Sequence, residues 1–91
     1  MKLIKQANSA HVLDTDDIQI LFSYETPVAV WIVGSHFLVT ATDYSRTTTG
    51  HIAQFVRDRT YKQNVGLTLA TNDQVEFVPQ ERINDALKET V

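Results

Sequence analysis

The chain has 91 residues, with eight Lys or Arg against eleven Asp or Glu and a formal net charge of −3. This mild acidity disfavours nucleic-acid binding, which usually shows a basic excess, and DNA mimicry, which needs far more negative charge. The absence of cysteine excludes disulfides, thiolate metal sites and a cysteine nucleophile. We expect one soluble, cytoplasmic domain over residues 1–91, without a signal peptide and without a run of about 18 apolar residues that could span a membrane.

Two strands are predicted in the first quarter of the chain. Residues 2–6 are interpreted as a short strand, and the polar segment 7–17 as a connection. Ile18, Ile20 and Phe22 then recur at every second position, and this period predicts a strand with one well-buried face.

A hairpin is predicted next. After a turn at 24–27, every residue of 28–33 is apolar, which is typical of a central strand covered on both faces. We expect helices on one face, a partner, a loop or Trp31 on the other, and Trp31 at least half buried. Gly34 and Ser35 suit a two-residue type II′ turn into an antiparallel strand at 36–42.

The second half of the chain predicts two helices around another hairpin. An apolar stripe follows a threonine run that could cap the first helix, and a second stripe begins just after Pro79. Between them, the alternation in 65–69 and 75–77 predicts a hairpin. The two helical stripes are Ile52, Phe55, Val56 and Arg59, then Ile83, Ala86 and Leu87.

These elements predict the α+β class, a small antiparallel sheet of five or six strands with two short helices in the order (β)βββαββα. Motifs for a phosphate loop, a serine nucleophile elbow or paired metal ligands are missing, so we expect no cofactor and no metal. His11, His36 and His51 lie far apart in sequence, and nothing fixes their geometry. Asp14 and its neighbours are interpreted as solvated loop carboxylates.

One segment, 44–51, gathers hydroxyls, a guanidinium and free backbone N–H groups at a helix start. Such a group can bind a phosphate or carboxylate. The simpler interpretation is that one threonine caps the helix and that Arg46 is solvated. Ser45, His51 and Asp43 could also suggest hydrolysis, but a helix start does not fix the geometry that a nucleophile and base need. We therefore expect no enzyme.

The segment 23–29 reads Ser-Tyr-Glu-Thr-Pro-Val-Ala, and 44–55 reads Tyr-Ser-Arg-Thr-Thr-Thr-Gly-His-Ile-Ala-Gln-Phe. Together they resemble a small uncharacterised domain family of tailed phages and phage-like elements, over roughly residues 18–56. That family more often has Ser and a basic residue where this chain has Thr49 and Gly50, so the resemblance gives weaker support to an anion site.

The resemblance implies a phage-type, non-catalytic protein-interaction module in the host cytoplasm, acting on a host enzyme or defence complex. The alternative is an accessory domain that binds a phosphate or nucleic acid at the start of the first helix. We also expect a homodimer, because an open sheet leaves edges to cover. The candidate binding residues are Tyr24, Trp31, Arg46, Thr47, Thr48 and His51.

Overall fold

The computed structural model describes residues 2–33, 35–60 and 75–90. Within them, six strands form one sheet and two helices pack against it. In chain order the elements are β1 (Lys2–Ala7), β2 (Ala10–Asp14), β3 (Ile18–Ser23), β4 (Thr26–Ile32), β5 (Phe37–Thr40), α1 (Arg46–Thr60), β6 (Val75–Val78) and α2 (Gln80–Thr90).

The strands lie in the sheet in the same order as in the chain. Neighbours are antiparallel from β1 to β5, whereas β5 and β6 are parallel. Parallel neighbours need a crossover, and α1 lies in the connection between these two strands. The structure confirms the predicted α+β class, with the element order βββββαβα in the described residues.

Strand β2 was missed by the sequence prediction, which treated 7–17 as a polar connection. Ala10 and Val12 alternate with partly exposed neighbours and are buried at 0% and 2% exposure. Asp14, interpreted above as a loop carboxylate, is instead the last residue of β2 and accepts a hydrogen bond from Gln19 Nε2 at 3.1 Å. This strand was not predicted because its apolar alternation is short and lies between polar turns.

Each face of the sheet has its own core, covered by one helix. Ile52, Phe55 and Val56 of α1 pack on one face, and Ile83 of α2 packs on the other. The prediction of helices on one face only is therefore wrong. Strand β3 also has two buried faces rather than one, since Leu21 is fully buried beneath α1.

The central hairpin is confirmed, because β4 and β5 are antiparallel and Trp31 lies opposite Phe37. Trp31 is more than half buried, as expected. The Ile32 N–H donates to the His36 carbonyl at 2.9 Å, so the connection is longer than the predicted two residues. The type II′ turn itself involves Gly34, which lies outside the described residues.

Both predicted helices are present, and their stripes face the core as expected. The strand at 75–78 is also present, but it pairs in parallel with β5. Its predicted hairpin partner at 65–69 lies outside the described residues. Among the described residues, neither helix has the length and apolar character needed to cross a membrane.

Candidate functional site

A buried polar cluster joins the end of β3 to the first turns of α1. Ser23 Oγ lies 2.9 Å from Thr48 Oγ1 and 2.8 Å from His51 Nδ1. The exposures are only 2% for Ser23, 5% for Thr48 and 8% for His51. Thr48 and His51, both predicted as binding residues, therefore point into the protein.

The start of α1 explains why these side chains turn inward. Ser45 precedes the helix, and its Oγ accepts the Thr48 N–H at 3.2 Å. This is the N-cap arrangement, which satisfies one of the free N–H groups of the first turn. The prediction that a threonine caps the helix is therefore wrong. Residues three and six positions after the cap are Thr48 and His51, and both face the sheet.

The hydroxyl groups form a hydrogen-bonded chain that ends at the imidazole. Ser45 Oγ donates to Thr48 Oγ1 at 3.3 Å. Ser23 Oγ lies between Thr48 Oγ1 and His51 Nδ1, and because a hydroxyl can donate one hydrogen bond and accept two, either partner in each of these two contacts can be the donor. The tautomer of His51 therefore sets the direction of the Ser23 contacts.

The backbone of His51 is anchored as well. Its carbonyl accepts a hydrogen bond from Gln6 Nε2 at 3.0 Å, which ties β1 to α1. The hydrogen bonds of His51 to Gln6 and Ser23 thus hold α1 against β1 and β3. The imidazole also faces the Tyr24 ring, with ring centroids 6.1 Å apart at an interplanar angle of 56°.

Tyr24 occupies the turn between β3 and β4 with a φ of 59°. This is the left-handed region, which favours glycine and is uncommon for a bulky residue. The turn is held by a hydrogen bond from the Tyr24 N–H to the Ser9 carbonyl at 2.6 Å. Despite its contact with His51, the side chain is 56% exposed.

Other exposed aromatic residues lie at the same end of the sheet, which we call the Tyr24 end. There β3, β5 and β6 end and both helices begin. Tyr44 is 40% exposed and Phe77 is 53% exposed. Arg46, the first residue of α1, and Thr47 follow Tyr44 closely in the chain and are also exposed.

Hydrogen bonds fix the chain at this end. The Tyr44 hydroxyl donates to Gln80 Oε1 at 3.0 Å, and Gln80 Nε2 donates to the Pro27 carbonyl at 2.7 Å. This bridge joins the loop before α1, the start of α2 and the start of β4. The exposed aromatics therefore project from elements that are bonded to one another.

Trp31 lies toward the opposite end, within an aromatic cluster. Its ring stacks on Phe37 with centroids 5.9 Å apart, and Phe37 meets Phe55 edge to face at 6.0 Å. The Arg59 guanidinium lies 3.9 Å from the Phe55 centroid and 5.7 Å from that of Trp31. The structure thus separates Trp31 from the other predicted binding residues.

Arg59 is fixed by two hydrogen bonds. Its Nε donates to Gln19 Oε1 at 2.7 Å, and its Nη1 donates to the Phe55 carbonyl at 3.1 Å. Burial lowers the pKa of the Arg59 guanidinium, outweighing Asp58 and Asp14, which raise it. The guanidinium stays charged, because its pKa is far above neutrality.

Within the described ranges, no group of three or more His, Asp or Glu side chains is placed to hold a metal ion. His51 lies on α1, His11 lies on β2, and His36 lies in the β4–β5 connection, directly before β5. The three histidines, which the sequence did not favour as a metal site, are thus carried by separate parts of the fold.

Ser23 is the site residue that sequence reasoning missed. It belongs to the segment 23–29, whereas His51 belongs to 44–55. These are the two segments that carried the resemblance, and the Ser23–His51 contact brings them together. The presence of both segments was the signal that could have indicated Ser23. The sequence alone, however, does not specify which of their side chains are in contact.

The described part of the chain is a small α+β domain with a two-faced sheet, a buried Ser–Thr–His cluster and an aromatic end. The chain belongs to a family of unknown function (DUF8033), which it matches over residues 2–74. No curated protein and no solved structure matches the chain.

Proposed function

We propose that the chain is a non-catalytic protein-interaction module whose contact surface is the Tyr24 end. Tyr24 itself carries the proposal: a side chain that is 56% exposed is held at a φ of 59°. A left-handed conformation costs an ordinary residue about 1–2 kcal/mol. Strain of this kind concentrates at functional sites, and glycine would remove it here.

The surroundings of Tyr24 support the same role. Tyr44 and Phe77 are exposed aromatics, and Arg46 adds an exposed guanidinium. Tyrosine, phenylalanine and arginine are enriched at interface cores, and tyrosine and arginine dominate binding energy there. The hydrogen bonds from Tyr44 through Gln80 keep this surface ordered before a partner arrives, which reduces the entropic cost of binding.

We infer that the Ser23–His51 pair has a structural role. Its 2.8 Å separation matches that of a nucleophile and its base. However, Ser23 is only 2% exposed, and Thr48 provides its second hydrogen-bond partner. A substrate would have to open the start of α1 to reach the hydroxyl. This burial supports a non-catalytic role for the pair.

The partner class and the cellular setting come from the sequence resemblance alone. On that basis we propose a phage-type module in the host cytoplasm that occupies a surface of a host enzyme or defence complex. The family description specifies neither a host nor a partner.

Phosphate or nucleic-acid binding at the start of α1 has less support. Two of its four candidate residues, Thr48 and His51, are buried and hydrogen-bonded to Ser23. Arg46 and Thr47 remain exposed for an anion. If this alternative holds, a DNA duplex should bind more weakly to Arg46→Ala than to the matched variant Arg57→Ala, and added salt should reduce the difference.

The experiment that tests the main proposal is affinity capture from a bacterial lysate on three immobilised baits. These are the wild type, Tyr24→Gly and the control Lys88→Ala, which alters an exposed residue near the far end of α2. We expect at least one protein to be retained by the wild type and the control but lost from Tyr24→Gly. Identical captured sets on all three baits would contradict the proposal.

A further inference from the structure

Strand β1 forms an edge of the sheet with an exposed outer side. In the part of the chain that the structure describes, β1 pairs with β2 alone, and its first four residues are all exposed. Leu3 is 65% exposed and Ile4 is 37% exposed. An edge strand of this kind presents backbone N–H and C=O groups to an added strand.

The two apolar side chains lie on opposite faces of the sheet. Leu3 is opposite Leu13, which packs on the α2-side core, and Ile4 is opposite Val12 in the α1-side core. An added strand with two central apolar residues would therefore extend both cores. Such cross-strand pairs are the unit of sheet stabilisation.

Lysines flank this apolar pair, one on each face. Lys2 lies opposite Asp14, and Lys5 lies opposite His11. The register shifts between Lys5 and Ala7, so the regular edge spans four residues that read basic, apolar, apolar, basic. The rest of the chain is acidic overall, which makes this strand a local basic exception.

The charge pattern identifies what the edge can accept. Pairing with β1 of a second copy would double the lysines along a short edge, and exposed edge lysines are a common protection against such self-pairing. Carboxylates opposite Lys2 and Lys5 would instead make attractive cross-strand pairs. The edge therefore favours a foreign acidic segment over a second copy.

We propose that β1 accepts an extended segment of a partner protein with the pattern acidic, apolar, apolar, acidic, added as a further strand beside Lys2–Lys5. The pattern reads the same in both directions, so it fits parallel or antiparallel pairing. This surface is separate from the Tyr24 side chain, and its role does not depend on the function proposed for the Tyr24 end.

The test is an NMR titration of the full chain with a short synthetic peptide that contains Glu-Val-Val-Glu. We expect amide shifts in β1 and β2, with weak or no shifts from a Lys-Val-Val-Lys peptide. The double variant Lys2→Glu with Lys5→Glu should bind the acidic peptide about tenfold more weakly and prefer the basic peptide. Lys88→Glu, the matched control, and Tyr24→Gly should bind as the wild type does.

A second peptide keeps the test decisive if the double variant does not fold. The acidic peptide with N-methylated backbone amides keeps its side chains but cannot complete the ladder, so it should not shift the β1 amides of the wild type. Equal binding of methylated and unmodified peptides, or shifts confined to other elements, would overturn the proposal. Concentration-dependent β1 shifts without peptide would also overturn it, because they would identify a second copy as the occupant.

Discussion

Tyr24 has a backbone conformation that suits glycine, and its side chain is largely exposed. A tyrosine at this position therefore makes the protein less stable than a glycine would. Tyr24→Gly should raise the free energy of unfolding by about 1 kcal/mol, since it removes the left-handed strain and loses little buried surface. Glu25→Gly in the same turn is the control and should lower it, because Tyr24 is the only described non-glycine residue with positive φ. Chemical denaturation measures both. A destabilised Tyr24→Gly protein would refute the strain argument.

Several hydroxyl residues lie near the start of α1, but the Ser45 hydroxyl caps the helix. Ser45→Ala should lower the free energy of unfolding by about 0.5–2 kcal/mol, because it removes the acceptor for the Thr48 N–H. Thr47→Ala, at an exposed neighbouring position, should change it by less than about 0.5 kcal/mol. Urea denaturation followed by circular dichroism compares the two. Equal losses would show that the cap is shared along the threonine run.

Helix α1 is also fixed near its end, where Arg59 covers the aromatic cluster. Arg59→Ala should lower the free energy of unfolding by about 1–2 kcal/mol, since it removes a cation–π contact and two hydrogen bonds. Arg57→Ala, an exposed position on the same helix, should have little effect. Trp31 fluorescence should shift to longer wavelength in Arg59→Ala alone. An unchanged spectrum and stability would mean that Arg59 does not cover the cluster.

The elements with long or strong periodicity were predictable from sequence. Strand β3, the β4–β5 hairpin and both helices follow their apolar patterns, and all of them are present. Strand β2 was missed because only Ala10 and Val12 mark it, between polar turns. The parallel pairing of β6 could not be read from Val75 and Phe77, because a period of two specifies a buried face but not the direction of the neighbouring strand.

At the scale of the whole molecule, the apolar run of β4 indicated two covered faces, but not that each would receive one helix. The buried Ser–Thr–His cluster was even harder to predict from the sequence. Ser23 and His51 lie 28 positions apart, and their contact depends on the strand register and on the face that α1 covers. Neither the register nor the covered face follows from local composition. The same threonine run was therefore compatible with a helix cap or with an anion site.

The homodimer expected from sequence stays a prediction. Light scattering should give twice the chain mass if an edge or helix face is shared across a two-fold axis. The lysines on β1 argue against that edge as the contact, so a dimer should persist in Lys2→Glu. A monomer mass at high protein concentration would contradict the homodimer. Both proposed surfaces would then be available to bind other proteins.

The measurement that tests the central claim most directly is the dissociation constant of the captured partner for the wild type and for Tyr24→Gly, by titration calorimetry. The proposed role of the Tyr24 end predicts a variant that is folded, more stable, and at least about tenfold weaker in binding. Lys88→Ala should bind as the wild type does. An unchanged dissociation constant for a folded Tyr24→Gly protein would contradict a contact surface centred on Tyr24.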